Sequence, residues 1–286
     1  MPDLSGYQQT PVDPFLDSAA AGGGEVYFQT PDGLLCGIRP AQGMAGCDGA
    51  LPGAPPQANE IVLAADPPAR GFRATSGPRF VKPSGGAAPV LSAGRKITFA
   101  DFECAVGTDT TKPTTMCTKG FPPSQWMVIG PSVTGVGPRT AGLPVDFPDP
   151  NDFALSDQSY LVGGGGANAF AVFTAGGLTC RIAMSTGGEI VCDAGRSAHL
   201  PGRGSDNEVF AQVPGPVGTR QAGDQSVTVP AYPGAVKELP PGHRIDAFGG
   251  TCMAPRDGGV ACFGVAGVAP QGFRVTADST TTFGGS

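Results

Sequence analysis

Histidine is almost missing from this chain. Only His199 and His243 occur in 286 residues. A Ser-His-Asp triad would need one of them, and the nucleophile-elbow pattern Gly-x-Ser-x-Gly does not occur. His199 falls in the loop-like run Arg196-Ser197-Ala198-His199-Leu200-Pro201-Gly202, and His243 reads as a surface turn position beside Arg244. There is no Cys-x-x-Cys and no His-Glu-x-x-His, so the close ligand spacing of a zinc site is absent. Charge is also scarce. Charged residues make up 15% of the chain, the net charge is −6, and the basic residues never cluster. That excludes binding built on phosphate neutralisation and disfavours an anionic membrane surface. No apolar run reaches the length of a membrane span. No stretch keeps apolar residues at helical spacing, and the glycine runs lack the Gly-Lys-Ser/Thr of a phosphate loop. No Asn-x-Ser/Thr sequon occurs.

Glycine and proline are abundant, 76 residues together, yet 40% of the chain is hydrophobic. Short apolar runs broken by turn residues read as a mainly β fold with long Gly/Pro loops. The chain also contains itself twice. Val26-Tyr27-Phe28-Gln29-Thr30-Pro31-Asp32-Gly33-Leu34-Leu35-Cys36-Gly37-Ile38 returns without a gap as Phe170-Ala171-Val172-Phe173-Thr174-Ala175-Gly176-Gly177-Leu178-Thr179-Cys180-Arg181-Ile182. Asn59-Glu60 returns as Asn207-Glu208, and Leu91-x-x-Gly94-x-x-Ile97 returns as Leu239-x-x-Gly242-x-x-Ile245. The offset drifts between 144 and 148 residues, as small insertions after a duplication would leave it. Two tandem homologous β-rich domains are expected, 1–135 with an arm at 1–24, and 136–286 with an arm at 136–168. Val12-Asp13-Pro14-Phe15 looks related to Asp149-Pro150-Asn151-Asp152-Phe153. The runs Gly22-Gly23-Gly24 and Gly163-Gly164-Gly165-Gly166 then read as flexible joints.

Eight cysteines fall at four matched places. Four per copy allow three pairings. The expected one joins sequence neighbours: Cys36 with Cys47, Cys104 with Cys117, Cys180 with Cys192, and Cys252 with Cys262. Spacings of 10 to 13 residues suit bridged hairpins. Pro31-Asp32-Gly33 supplies a turn between two strands, and Asp257-Gly258 another. Trp126 aligns with Phe273 and reads as a core aromatic. Disulfides need an oxidising compartment, so the protein is expected to be secreted, periplasmic or in the cell envelope. The start, Met1-Pro2-Asp3-Leu4-Ser5-Gly6, has no basic head or apolar segment, so either an export signal has been removed or the protein is cytosolic and the cysteines are a false guide.

Two polar features remain. Glu60 and Glu208 recur, each after an asparagine. They read either as a sugar or ion site in each domain or as an asparagine turn followed by a solvated or strand-starting glutamate. Asp146, Asp149, Asn151, Asp152 and Asp157 form an acidic stretch with some calcium-ligand character. Its spacing is not that of an EF-hand, and it reads as a solvated arm. No cofactor, metal or nucleic acid is implied.

The order Phe/Tyr-x-Thr-Pro-Asp-Gly-x-x-Cys-x-Ile, then a second cysteine, then Leu-x-x-Gly-x-x-Ile and a later cysteine pair, resembles poorly characterised exported proteins of mycobacteria and related actinobacteria. The leading Pro2-Asp3-Leu4-Ser5-Gly6-Tyr7 is similar to the mature start of such proteins. The resemblance implies an envelope location and transfers no catalytic residue. The function expected is a non-enzymatic binding or envelope-assembly module, its partner an envelope protein, glycan or lipid. The alternative is a cell-envelope carbohydrate-active hydrolase using Glu60 or Glu208. A protease inhibitor ranks last, because no loop flanked by cysteines carries a clear basic or aromatic anchor.

Overall fold

The computed structural model describes residues 1–19, 24–64, 70–162, 169–183, 188–195, 197–222, 235–266 and 269–285. The glycine joints expected at Gly22–Gly23 and Gly163–Gly166 lie outside the described residues. The chain is mainly β, and the helices among the described residues are single 3-10 turns. It divides into two compact units, Met1–Ala141 and Gly142–Ser286.

In the first unit, β1 (Gln8–Gln9) and β2 (Leu16–Asp17) come from the arm. Strand β2 starts an antiparallel meander that continues through β3 (Glu25–Gln29), β4 (Leu35–Arg39), β5 (Met44–Asp48), β6 (Glu60–Ala64) and β7 (Gly71–Arg73). Strand β1 joins β8 (Arg95–Phe99) in parallel. An antiparallel run follows through β9 (Phe102–Val106), β10 (Thr115–Lys119), β11 (Gln125–Ile129) and β12 (Thr134–Gly137). The arm is therefore part of the fold, giving one edge strand to each meander.

The second unit repeats this plan. Strand β13 (Ala154–Leu155) joins a later strand, and β14 (Leu161–Val162) starts the run β15 (Phe170–Ala175), β16 (Leu178–Ala183), β17 (Glu189–Asp193), β18 (Glu208–Gln212) and β19 (Val217–Arg220). The partner of β13 is β20 (His243–Ala247), in parallel. It leads to β21 (Gly250–Met253), β22 (Val260–Ala266), β23 (Ala269–Val275) and β24 (Thr280–Phe283). By topology the turn Asp13–Phe15 corresponds to Gln158–Tyr160, since each leads directly into the strand that pairs antiparallel. The likeness drawn to Asp149–Phe153 is corrected accordingly. Phe15 and Tyr160 are both buried at matching points.

Each sequence copy thus contains two meanders of one kind. In every meander the disulfide joins the third strand to the fourth: Cys36–Cys47, Cys104–Cys117, Cys180–Cys192 and Cys252–Cys262. The cysteines are directly opposed in register and extend into an apolar row across the sheet. The rows are Phe28–Cys36–Cys47–Ile61, Ile97–Cys104–Cys117–Met127, Phe173–Cys180–Cys192–Val209 and Ile245–Cys252–Cys262–Phe273. No member is more than 3% exposed. Alternation explains this: with a side-chain period of two, one residue in every second position of each strand meets the same row. In the second unit the cysteine rows of both sheets share one core cluster with Leu200 and Leu239. In the first, β6 packs against β10, β11 and β12.

The register corrects the reading of Trp126. Phe273 faces Cys262, and the residue facing Cys117 is Met127. Trp126 is one position off the core row and only half-buried. Its ring lies over Gly137, where a Cβ would come within 2.5 Å of it.

Candidate functional site: a carboxyl row in the first meander of each unit

Beside each cysteine row of the first meanders runs a polar row. Asp48 on β5 pairs with Glu60 on β6, which pairs with Arg73 on β7. Asp193 on β17, Glu208 on β18 and Arg220 on β19 repeat this. The preceding asparagines are braces. Asn59 accepts the Thr75 backbone N–H at 2.8 Å and donates to the Thr75 carbonyl at 2.8 Å. Asn207 accepts the Ala222 N–H at 2.7 Å and donates to the Gly195 carbonyl at 3.3 Å. The Asn-Glu pair is therefore a strand start, as one reading held, but neither glutamate is solvated: both are 0% exposed.

Charge in these rows is paired. Glu60 Oε1 meets Arg79 Nη1 at 3.2 Å and Arg73 Nη1 at 3.5 Å. Glu208 Oε1 accepts from Arg220 Nε, and that guanidinium stacks on Phe210 at 4.6 Å. Burial pushes the Glu60 carboxyl above its usual range, opposed by Arg79 and Arg73 and assisted by Asp48. Burial likewise raises Glu208, against the pull of Arg220. Asp48 is raised by burial too, opposed by the Phe80 and Arg79 backbone N–H groups that its Oδ2 accepts at 2.5 and 2.6 Å. Among the described residues, Asp48 Oδ1 and Glu60 Oε2 have no hydrogen-bond partner.

Such buried, ion-paired rows hold neighbouring strands together. A glycosidase needs two carboxyl groups flanking a bond in an open cleft. Glu60 and Glu208 are each sealed from solvent and ion-paired. Sequence reading missed Asp48, Asp193, Arg73 and Arg220. The signal was present: Cys47-Asp48 recurs as Cys192-Asp193.

The remaining sequence candidates are dispersed. His199 is exposed in its loop. His243 is not at the surface as expected: it opens β20, is 5% exposed, and places Nδ1 3.4 Å from Ser156 Oγ. Pairing of β13 with β20 covers it, a long-range event that a local turn reading does not see. Arg244 beside it is also buried; its Nη1 donates to the carbonyls of Pro150 and Phe153, and its Nε to Asp246. In the acidic stretch Asp149 and Asn151 are buried, not solvated, and Asp149 accepts the Asn151 N–H at 3.1 Å. Among the described residues no group of three or more His, Cys, Asp or Glu is placed to hold a metal ion, and no helix is long and apolar enough to cross a membrane.

No family model matches the chain, and neither a curated protein nor a solved structure matches it.

Proposed function

We propose that this is an exported, non-enzymatic binding or assembly module of a cell envelope, of the kind the actinobacterial resemblance implies. The observation that carries the reading is the repetition of one buried disulfide at the same place in four meanders. Crosslinks of this density belong to oxidising compartments. The repeated charged residues support the same reading, because they are consumed in holding strands and leave loops and turns as the contact surface. The test is expression of the tagged protein in an actinobacterium, followed by fractionation and photo-crosslinking in intact cells. The expected result is oxidised protein in the envelope or culture filtrate, crosslinked to a defined envelope component. Recovery in the cytosol with free thiols would overturn the proposal. So would hydrolysis of cell-wall glycan lost in Glu60→Gln or Glu208→Gln.

A further inference from the structure

The start of the first arm and its counterpart in the second unit are built alike, residue for residue. Gln9 pairs with Lys96 on β8, and Leu155 pairs with Arg244 on β20. Counted back from these pairs, Leu4 stands where Pro150 stands. Each of the two carbonyls accepts from the aligned base, Lys96 Nζ at 3.0 Å in the first unit and Arg244 Nη1 in the second. Each also accepts a following N–H, from Tyr7 at 3.3 Å and from Phe153 at 3.2 Å. Asp3 accepts the Ser5 N–H at 2.9 Å, as Asp149 accepts that of Asn151 at 3.1 Å. These shared hydrogen bonds fix the match, and by the same count Met1 stands against Phe147.

The sheet beneath is matched too. The row one residue off the cysteine row reads Phe263–Gly272–Phe283 across β22, β23 and β24, and Thr118–Trp126–Gly137 across β10, β11 and β12. By alternation it faces away from the cysteines. In the second unit Phe147 closes this row. Its ring meets Phe263 at 6.0 Å and Phe283 at 4.9 Å, both edge-on, and Leu143 and Phe153 complete the cluster. Arg274 Nη1 holds the passing chain by the Asp146 carbonyl at 2.8 Å. Phe147 is 4% exposed there. In the first unit the indole of Trp126 leans over Gly137 and so takes the place of the Phe283 ring. Thr118 beside it is buried, whereas Trp126 stays partly exposed. Among the described residues no second ring packs on the indole. Met1, at the place of Phe147, is 64% exposed instead of buried.

We propose that the open face of Trp126 is a docking site for a polypeptide partner, filled by an aromatic side chain on an extended, proline-containing segment like residues 143–148. The second unit shows the same row closed by such a segment, with a phenylalanine ring as its anchor. The arm already lies along this face as far as Leu4, so the site continues an interface that the fold has built. Aromatic anchors carry a large share of binding energy at protein interfaces. A proline-containing segment is already extended and loses little freedom on docking. A glycan fits less well. It needs hydroxyl partners around the ring, and the neighbours of the indole in its row are the buried Thr118 and Gly137, which has no side chain. Such docking presupposes the binding-module reading and gives its partner a chemical class.

Trp126 is the chain's one tryptophan, so its fluorescence reports this site alone. The intact oxidised chain is titrated with a synthetic peptide of residues 142–151, which carries Leu143 and Phe147 and no tryptophan. The expected result is a saturable blue shift of the emission and a loss of acrylamide quenching, as a second ring covers the indole. The same peptide with Phe147→Ala should produce neither. An unchanged spectrum at millimolar peptide, or an equal shift with the Phe147→Ala peptide, would remove the docking site. A shift given by a soluble chito-oligosaccharide and not by the peptide would overturn the polypeptide partner while leaving the binding-module reading in place.

Discussion

Glu208 shows what a charge buried in a sheet does to stability. It has no solvent contact, and its cationic partner among the described residues is Arg220. Burial raises its pKa above the unfolded value, so the folded chain binds a proton that the unfolded chain has already released. Its contribution is present in full below the usual carboxylate range and fades as pH rises through the raised folded value. The urea midpoint of wild type should therefore fall relative to that of Glu208→Gln as pH rises. The difference between them carries at most one proton of slope, about 1.4 kcal/mol per pH unit. Parallel profiles would show that Arg220 fully offsets the burial. A second residue tests packing without charge. At Gly46 a Cβ meets Phe80 at 2.4 Å and the Ile61 carbonyl at 2.6 Å. Gly46→Ala should cost about 1–3 kcal/mol, the usual penalty of overpacking, read as a lower denaturant midpoint with unchanged slope.

At the scale of elements, the meander is the repeating object, and each carries its disulfide between the third and fourth strands. The bridged residues are 10 to 13 apart, so loop-closure entropy removes a similar cost in each. Replacing any one pair by alanines should cost about 3 kcal/mol, and the four double variants should lie close together in thermal unfolding. A pair with markedly smaller cost would mark a meander that is ordered by its neighbours. Much of this level was legible in the chain. Turn residues at Pro31-Asp32-Gly33 and matched cysteines point to hairpins, because those signals act over a few residues. The halving of each copy into two meanders was not legible. Apart from the cysteines, the second meander shares few residues with the first, and its likeness lies in register: Ile97 and Met127 stand where Phe28 and Ile61 stand. The burial of His243 and Asp149 escaped for a related reason, since strand pairing between residues about 90 apart covers His243. The carboxyl rows were half legible. Glu60 and Glu208 stood out by recurrence, whereas their arginine partners follow after loops of different length.

For the molecule as a whole, four buried disulfides suggest an oxidising environment. All eight cysteines are paired, and none is more than 1% exposed. Thiol–disulfide exchange requires a thiolate to reach a sulfur in line, so access sets the rate as much as driving force does. Each row of cysteines lies between apolar neighbours and offers no path for glutathione or a small phosphine unless strands part. Native protein from an oxidising compartment should therefore keep its mass when treated with alkylating agent alone. It should resist mild reductant in buffer and gain eight alkyl groups only when reductant is combined with denaturant. Partial reduction in buffer would be informative, because the pair that opens first would identify the least stable meander. Alkylation of freshly isolated protein without any reductant would remove the oxidised frame, and with it the basis for placing the protein outside the cytosol.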